Sequence, residues 1–376
     1  MTLRFLTAGE SHGPALTAII EGFPAGLALA AADIDVELQR RQSGYGRGGR
    51  MKIEQDQVRI TAGVIAGQTT GAPLALWIDN RDWANWKDRQ VAPWHVPRPG
   101  HADLAGSTKY ALEDMRWIAE RASARETTTR VAVGTVCKKL LCELGVAIGS
   151  YVSELGSVQA EIPALDLPEL WALAEASDVR CPDENAAAAM RRHIDEARAQ
   201  GDSLGGIFVV AATGLPVGRG SHVHWDRRLD GRIAQAIVSI PAIKGVEIGP
   251  AFENARLPGT QVHDALYPAA DRGIVRRSNR AGGLEGGITN GEPLVVRAAM
   301  KPIPTTISPL ESVNTVTGEA TTTQYQRSDV CALPAACVVA EAMLAWVLAD
   351  AFSEKFGGDS MTELLRNARV VQRRSG

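Results

Sequence analysis

The stretch PAACVVAEAMLAWVLADAF, residues 334–352, carries only two charged side chains, Glu341 and Asp350. A helix that is apolar on every face is buried, so this stretch predicts a buried helix. A second helix is predicted over residues 127–144, because apolar side chains recur there at helical spacing. Its apolar face consists of Val131, Val133, Val136, Leu140 and Leu141.

Around these two helices, short strands and helices follow one another irregularly. Strands are predicted at residues 3–7, 15–21, 57–65, 73–78, 147–158, 206–213, 245–248 and 294–300. Further helices are predicted at residues 33–42, with Asp33 as N-cap, and at 167–176, 185–200 and 227–239. The stretches 80–101 and 251–291 indicate long irregular segments. Without a regular βαβ rhythm, this mixture predicts an α+β fold with largely antiparallel sheets. Residues 1–376 contain no Pro/Ser-rich linker and are expected to form a single domain.

Composition excludes several classes of protein. The 376 residues are 45% hydrophobic and 22% charged, with a formal net charge of −3, which is typical of a globular protein without a global field for nucleic acid or anionic membranes. The five cysteines form no CxxC pair and have no zinc-ligand spacing, so no metal is expected. The N-terminal residues lack the apolar core of a signal peptide, and no uncharged apolar run reaches membrane-spanning length. The expected location is the reducing cytoplasm.

Charge is unevenly distributed along the chain. Residues 40–130 contain 12 Arg and 3 Lys against 10 Asp and Glu, a local surplus of five positive charges in a chain that is negative as a whole. Such segregation favours a basic pocket for an anionic ligand, and the alternative is a solvated basic face.

The glycine-rich stretch at residues 44–49 matches GxGxxG. A dinucleotide site of this type needs a strand before the motif and a helix after it. Here a predicted helix precedes the motif and a strand-like region follows it. The glycines therefore favour a flexible loop that presents Arg47 and Arg50 to an anion. A related alternative is a nucleic-acid-binding protein that uses residues 40–50, but the acidic pI and the few aromatic residues near the loop disfavour it.

A second short motif, GESHG at residues 9–13, matches the GxSxG pattern of serine hydrolases. In that fold the nucleophile follows several strands, whereas a single predicted strand precedes Ser11. A serine hydrolase that uses Ser11 remains an alternative.

Nine motifs in order carry a more specific signal. They are GESHG at 9–13, RRQSGYGRGGR at 40–50, RPGHAD at 98–103, RASARET at 121–127, GDSLGG at 201–206, KGVEIG at 244–249, SNRAGGLEGGITNG at 278–291, KPIPTT at 301–306 and RSD at 327–329. In this series the chain resembles the chorismate synthase family throughout. The resemblance implies a β-α-β sandwich. It also implies a lyase that converts 5-enolpyruvylshikimate 3-phosphate to chorismate and phosphate by anti-1,4 elimination, with a requirement for reduced FMN. This is the last common step of aromatic amino-acid biosynthesis.

The resemblance also implies which residues act. His12 would protonate the reduced flavin, His101 would protonate the departing phosphate, and Asp329 would help to remove the C6 proton. The alternative for Asp329 is an ion pair with Arg327, and the two roles could hold in turn. The implied substrate ligands are Arg41, Arg47, Arg98, Arg125 and Arg327, whose planar guanidinium groups suit phosphate and carboxylate. Arg41 and Arg47 are in addition implied contacts of NADP.

The flavin contacts that the resemblance implies are Arg121, Ala122, Ser123, Pro241, Ala242, Gly286, Lys301, Pro302, Ile303, Pro304, Thr305 and Arg327. One position departs from the family, which usually has Asn or Gln where this chain has Pro241. Proline lacks both an N–H and a polar side chain, so a hydrogen bond to FMN or to a neighbouring subunit is expected to be missing, unless a backbone carbonyl serves instead. The implied assembly is a homotetramer, supplied with reduced FMN by an external flavin reductase, with NADPH as an indirect reductant.

Overall fold

The computed structural model of the chain describes residues 3–49, 53–269 and 273–375. Its strands are β1 Arg4–Ala8, β2 Ala15–Glu21, β3 Val58–Ala62, β4 Val64–Ile65, β5 Gln68–Thr69, β6 Leu74–Asp79, β7 Ala147–Leu155, β8 Val158–Gln159, β9 Gly206–Thr213, β10 Ile243–Ile248, β11 Leu266–Ala269, β12 Gly273–Arg276, β13 Leu284–Glu285, β14 Ile288–Thr289, β15 Leu294–Met300, β16 Glu311–Val313 and β17 Ala320–Thr322. Its helices are α1 Ala31–Gln42, α2 Asp103–Tyr110, α3 Met115–Ala122, α4 Thr127–Glu143, α5 Leu167–Ala176, α6 Glu184–Ala199, α7 Leu229–Val238, α8 Ala251–Asn254, α9 Gly259–Val262, α10 Leu333–Phe356 and α11 Met361–Ser375. Short 3₁₀ helices lie at Arg81–Asn85, Ala124–Glu126 and Trp225–Arg227.

Two larger sheets form the outer layers of the fold. One has the strand order β1-β2-β6-β3 and the other β10-β15-β9-β7-β8, and the strand pairs within them are antiparallel. Burial alternates along β6 and β15 with a period of two, because successive side chains of a strand point to opposite faces. One face of each sheet is therefore apolar and covered. The predicted α+β class with largely antiparallel sheets is confirmed.

Helices fill the space between the two sheets. Helix α4 packs against β1, β2 and β6, α10 packs against β7 and β9, and the two helices pack against each other. Nearly every residue of α10 is buried, as its composition predicts. The arrangement confirms the predicted β-α-β sandwich.

Helix α10 is long and apolar enough to cross a membrane by length and composition alone. It lies in the interior, with 94% of its most apolar window buried, and is therefore a core helix of this fold.

The two central helices approach closely where α4 has a glycine. A side-chain carbon added at Gly134 would collide with both Cβ and Cα of Ala342 on α10. The interior is so densely packed that α4 and α10 could not separate enough to accommodate such a carbon. The pair of small residues, Gly134 and Ala342, sets the distance between the two helical layers.

Some predicted boundaries are wrong, and the causes are local. Asp33 is inside α1 rather than at its N-cap, and its carboxylate accepts the N–H of Ala30 at 2.8 Å. The predicted strand 57–65 is broken at Gly63, which has a φ of 86°, and the strand 147–158 is broken by a turn that leads into β8. Residues 251–291 contain two short helices and two hairpins rather than irregular chain. The sequence made no prediction for α11.

Candidate functional site

The GESHG loop joins β1 to β2 and lies against the last turn of α3. The backbone N–H of Ser11 donates to the carbonyl of Glu120 at 3.1 Å, and that of His12 donates to Glu120 Oε2 at 2.7 Å. His12 Nδ1 lies 2.8 Å from Glu120 Oε1. Gly9 permits this tight loop because its φ is 113° and a side chain there would collide with the backbone of β2.

The serine hydrolase alternative is wrong. Ser11 is buried, and its hydroxyl donates to Ser123 Oγ at 3.1 Å. The adjacent imidazole of His12 turns its Nδ1 towards Glu120 instead. A nucleophile elbow lies between a strand and a helix, whereas this loop connects two antiparallel strands.

An aromatic and acidic group borders the GESHG loop. The indole of Trp86 packs against the His12 ring, with ring centroids 4.1 Å apart. Asp82 is buried and accepts hydrogen bonds from Trp86 Nε1 at 3.2 Å and from Arg327 Nη2 at 2.8 Å. Burial acts to raise the pKa of Asp82, but its side-chain hydrogen bonds hold it below the ordinary value. Through this carboxylate, Arg327 is brought beside the His12 loop.

Two buried arginines from distant parts of the sequence share one carboxylate. Arg125 Nη1 donates to Asp56 Oδ1 at 2.5 Å, and Arg41 Nη1 lies 3.6 Å from Asp56 Oδ2. The other hydrogen bonds of Arg41 go to neutral oxygens, at 3.0 Å to Thr127 Oγ1 and at 2.9 Å to the Ala124 carbonyl. Both predicted substrate ligands are therefore in one cluster.

The charge of Arg41 is only partly compensated. Burial lowers the pKa of Arg41 to about 10, the Asp56 carboxylate opposes this, and the charges of Arg47 and Arg125 add to it. Arg41 Nη1 has no hydrogen-bond partner in the part of the chain that the structure describes. A buried cation with neutral acceptors favours an anionic ligand. Arg41 and Arg125 are buried, so the alternative of a solvated basic face does not hold for these two residues of the basic segment.

Arg47 and Asp329 form an ion pair in the same region. Arg47 Nη1 donates to Asp329 Oδ2 at 2.6 Å, and the backbone N–H of Gly48 donates to Oδ1 at 2.6 Å. The alternative in which Asp329 is an ion-pair partner of Arg327 is wrong, because Arg327 binds Asp82 instead. The carboxylate of Asp329 is held by two donors of the glycine loop.

Two glycines of this loop, Gly46 and Gly48, serve close packing. A side-chain carbon at Gly48 would lie 2.7 Å from the Ser328 carbonyl, and one at Gly46 would lie 3.2 Å from Cys331. The motif follows α1 and precedes β3, which confirms that its context is not that of a dinucleotide fold. Arg50 lies outside the described residues.

The RPGHAD motif forms a second polar group. The side chain of Arg98 donates two hydrogen bonds to Asp103, Nε to Oδ2 at 2.7 Å and Nη2 to Oδ1 at 3.0 Å. His101 Nδ1 lies 2.6 Å from Asp103 Oδ1, and Arg98 Nη1 donates to Thr305 Oγ1 at 3.2 Å. Burial acts to raise the pKa of Asp103, but hydrogen bonds from His101 and Arg98 hold it well below the ordinary value. The carboxylate form of Asp103 is stabilised.

The KPIPTT stretch lies beside RPGHAD. Lys301 Nζ donates to the Gly100 carbonyl at 2.9 Å, and the Lys301 backbone N–H donates to the Ala242 carbonyl at 2.9 Å. Burial, and then the charge of Lys244, lower the pKa of Lys301. Three predicted stretches, at 98–103, 241–242 and 301–305, are therefore neighbours.

Backbone contacts connect the two polar groups. Ser203 Oγ donates to the Ile303 carbonyl at 2.6 Å. The next residue, Leu204, donates its N–H to the Val330 carbonyl at 2.8 Å, and Val330 donates its own to the Gly46 carbonyl at 2.9 Å. Residues 203–204 thus link the KPIPTT stretch to the loop that holds the Arg47–Asp329 pair. A separate cavity of about 330 Å³, lined by Tyr151, Val209 and Val295 among others, borders the five-stranded sheet and includes none of these groups.

The predicted flavin contacts do not all occupy the same part of this arrangement. Arg121, with Ala122 at the end of α3, donates to the carbonyls of Gly9 and Thr7 at 3.1 and 3.0 Å and so belongs to the His12 loop. Gly286 lies in the tight turn between β13 and β14, next to the start of α7, while Pro241 follows the end of α7. A ten-residue helix is about 15 Å long, so Gly286 is not brought next to Pro241.

Sequence reasoning missed the carboxylates that orient the site. Asp56, Asp82, Asp103 and Glu120 each bind a predicted residue, and the exposed fractions of their side chains are 0, 1, 1 and 17%. Asp103 lies within the quoted RPGHAD motif and Glu120 directly precedes RASARET, so position in the motifs was an available signal. Asp56 and Asp82 have no such signal.

The site combines buried arginines, two histidines paired with carboxylates and an oriented aspartate, which are the side chains expected of an enzyme with an anionic substrate. The profile of the family described as "Chorismate synthase" matches residues 3–353. The chorismate synthases of Desulforamulus reducens and Desulforudis audaxviator are each 56% identical to the chain. The alignments cover 98% of the chain and 98% and 96% of these relatives. A crystal structure of chorismate synthase aligns with a TM-score of 0.83 at 46% identity and covers 100% of this chain and 98% of that one.

The chain belongs to the chorismate synthase family. It is a lyase that converts 5-enolpyruvylshikimate 3-phosphate to chorismate and phosphate, in a family that uses reduced FMN.

Proposed function

We propose that the chain binds the phosphate and the two carboxylates of its substrate through Arg41, Arg47, Arg98, Arg125 and Arg327. The observation that carries this proposal is the state of Arg41, a buried guanidinium whose hydrogen bonds go to neutral oxygens. Arg47 and Arg125 are close enough for their charges to lower its pKa. A bound anion would relieve their mutual repulsion, and the planar guanidinium suits phosphate and carboxylate.

Three side chains are proposed to handle protons. His101 protonates the departing phosphate, His12 protonates the reduced flavin, and Asp329 assists removal of the C6 proton. Each imidazole has Nδ1 beside a carboxylate, which leaves Nε2 as the atom for proton exchange. The two hydrogen bonds to Asp329 orient its carboxylate.

Reduced FMN is proposed to bind along the sequence-predicted contacts from Arg121 to Arg327. The chemistry of the donors fits, since Lys301 is a partly desolvated cation suited to a phosphate. Gly100 leaves room beside it, because a side-chain carbon there would lie 3.3 Å from Lys301 Nζ. When bound, reduced FMN supplies electron density that eases loss of the substrate phosphate.

The decisive experiment is anaerobic incubation with 5-enolpyruvylshikimate 3-phosphate and chemically reduced FMN. Chorismate and phosphate are expected in equal amounts, with no turnover when FMN is oxidised. His101→Ala is expected to lower turnover by about a hundredfold or more with little change in substrate affinity. His193→Ala, on α6 beside Glu196, is the matched control and should behave as wild type. A His101→Ala enzyme with full turnover would remove the proposed role of His101.

The supply of reduced flavin and the assembly are also proposals. An external flavin reductase is proposed to supply reduced FMN, with NADPH as its electron source. Accordingly, NADPH and oxidised FMN alone should yield no chorismate. We further propose a single domain that assembles as a cytoplasmic homotetramer. The domain proposal is supported by one hydrophobic cluster that runs from Leu3 to Ala368, and sedimentation equilibrium tests the assembly.

A further inference from the structure

The imidazole of His12 is held at one edge and on one face. Its Nδ1 lies 2.8 Å from Glu120 Oε1, and its backbone N–H donates to the other oxygen of the same carboxylate at 2.7 Å. The indole of Trp86 covers one face of the ring, with centroids 4.1 Å apart. In the described part of the chain, no hydrogen bond engages Nε2. The ring thus has one edge fixed and one edge open.

Glu120 is itself fixed relative to the loop. It lies in the last turn of α3, and its backbone carbonyl accepts the N–H of Ser11 at 3.1 Å. The main chain and the side chain of one residue therefore both bind residues 11–12. Movement of residues 11–12 relative to α3 would break these hydrogen bonds.

The chemistry of this contact determines the tautomer. A carboxylate accepts hydrogen bonds and has no hydrogen to donate, so the ring must present N–H at Nδ1. The lone pair of the neutral imidazole is then on Nε2, and the hydrogen bond at one nitrogen decides the state of the other. We propose that Glu120 is a positioning residue that locks His12 in the Nδ1–H tautomer, so that His12 exchanges its proton through Nε2. This inference rests on the proposed role of His12.

Glu120→Gln provides a sharp test because it keeps the shape of the side chain and reverses the direction of its hydrogen bond with His12 Nδ1. The backbone N–H of His12 requires an acceptor, so the amide oxygen of the substituted side chain would stay on it. The amide NH₂ would then face Nδ1 and donate to it, which forces the hydrogen of the neutral ring onto Nε2. The variant is expected to retain the fold and to invert the tautomer.

The tautomer can be read without any turnover. Protein labelled with ¹⁵N-histidine is examined by solid-state NMR at about pH 9, where imidazoles are ordinarily neutral, and His12 is assigned by its loss in His12→Ala. Wild type should show a protonated Nδ1 and an unprotonated Nε2, and Glu120→Gln should show the reverse. Glu113→Gln, which changes an acid that precedes the same helix, is the control and should match wild type. An Nε2–H tautomer in wild type, or no change in Glu120→Gln, would overturn the proposal.

Kinetics separate this inference from the role on which it rests. If His12 acts through Nε2, Glu120→Gln should lower kcat about tenfold or more and leave the KM for 5-enolpyruvylshikimate 3-phosphate within about threefold. If the tautomer inverts while kcat stays at the wild-type value, Glu120 is confirmed as the tautomer lock. The proposed proton transfer by His12 is then wrong.

Discussion

Arg40 and Arg41 are adjacent on α1 and have opposite surroundings. Arg40 Nη1 donates to Glu341 at 2.9 Å and to Glu37 at 2.6 Å, and Arg40 also binds Glu175. Burial acts to lower the pKa of Arg40, but these carboxylates raise it above its ordinary value. Arg41 instead donates to a hydroxyl and a carbonyl, and its pKa is lowered to about 10.

The ion cluster around Glu341 is neutralised within the protein. The fully buried carboxylate accepts from Arg40, from Lys138 at 2.5 Å, from Arg180 at 3.2 Å and from Ser150 at 2.5 Å. These partners join α1, α4 and β7 to α10. The contrast with Arg41 teaches how differently two adjacent arginines can be compensated. Arg40 is neutralised by several carboxylates of the protein, whereas Arg41 has the carboxylate of Asp56 3.6 Å from its Nη1 and donates its hydrogen bonds to neutral oxygens.

The largest effect is expected from Glu341→Gln. Removal of the negative charge leaves three cations around a neutral buried amide, and breaking a buried ion pair costs about 3 kcal/mol or more. Urea denaturation should show this loss in the free energy of unfolding. Glu175→Gln is the control, because that side chain is 41% exposed and should cost less than about 1 kcal/mol. Equal losses in both variants would contradict the distinction between buried and exposed partners.

The same carboxylate should contribute to acid sensitivity. Burial acts to raise the pKa of Glu341, but the charges of Lys138, Arg40 and Arg180 hold it well below the ordinary value. A depressed folded-state pKa stabilises the protein above the unfolded-state pKa, and this stability is lost as the pH falls. Below about pH 4.5, the unfolding free energy of wild type should therefore fall more steeply than that of Glu341→Gln. The difference in slope is at most about 1.4 kcal/mol per pH unit for one group, and parallel slopes would argue against the assignment.

Exchanging the two neighbouring arginines for glutamine tests the comparison directly. Arg41→Gln should raise the KM for substrate about tenfold to a hundredfold. This is the effect of losing charge-assisted hydrogen bonds to the substrate that are worth about 1.5–3 kcal/mol. Arg40→Gln should leave KM near wild type and lower the unfolding free energy by about 2 kcal/mol. Steady-state kinetics and urea denaturation of both variants give the answer. The comparison fails if Arg40→Gln raises KM as much as Arg41→Gln does.

Arg219 is a third kind of buried arginine. Its side chain stacks on Phe356 and Phe352, with the guanidinium carbon 4.4 and 5.4 Å from the ring centroids. Nε and Nη2 have no hydrogen-bond partner among the described residues, and burial lowers its pKa to about 10. Unlike Arg40 it is not paired with carboxylates within the described ranges, and unlike Arg41 it does not lie in the candidate site. Arg219→Met should therefore stabilise the protein by about 1 kcal/mol, measured by urea denaturation, while Arg219→Lys should not.

The helices and strands that were predicted well have a pattern of apolar and polar residues that can be seen within the segment itself. The apolar run of α10 and the alternation along β15 reflect burial on all sides or on one side, so the neighbours need not be known. The breaks at Gly63 and Gly156 were missed because a positive φ at glycine depends on the turn the chain must make. The helix α11 was missed because no prediction extended past the buried helix.

Pairings across the chain could not be predicted in the same way. Glu120 and His12 are 108 positions apart, and Arg47 and Asp329 are 282 positions apart. Arg40 and Arg41 are adjacent in one motif. Their side chains point in different directions from α1 and therefore contact different partners. The resemblance supplied the candidate residues, while the partners that orient them came from the structure.

The smallest effect is expected at Pro241, where a neutral hydrogen bond is in question rather than a charge. Pro241 has no N–H, and the following carbonyl, that of Ala242, already accepts the N–H of Lys301. Pro241→Asn should strengthen binding of reduced FMN by up to about tenfold, since a neutral hydrogen bond is worth about 0.5–1.5 kcal/mol. Anaerobic fluorescence titration measures the dissociation constant, and Pro241→Ala separates the restored backbone N–H from the side-chain amide. An equal or higher dissociation constant in Pro241→Asn would mean that proline at this position costs no flavin affinity, and that cationic groups such as Lys301 dominate the binding.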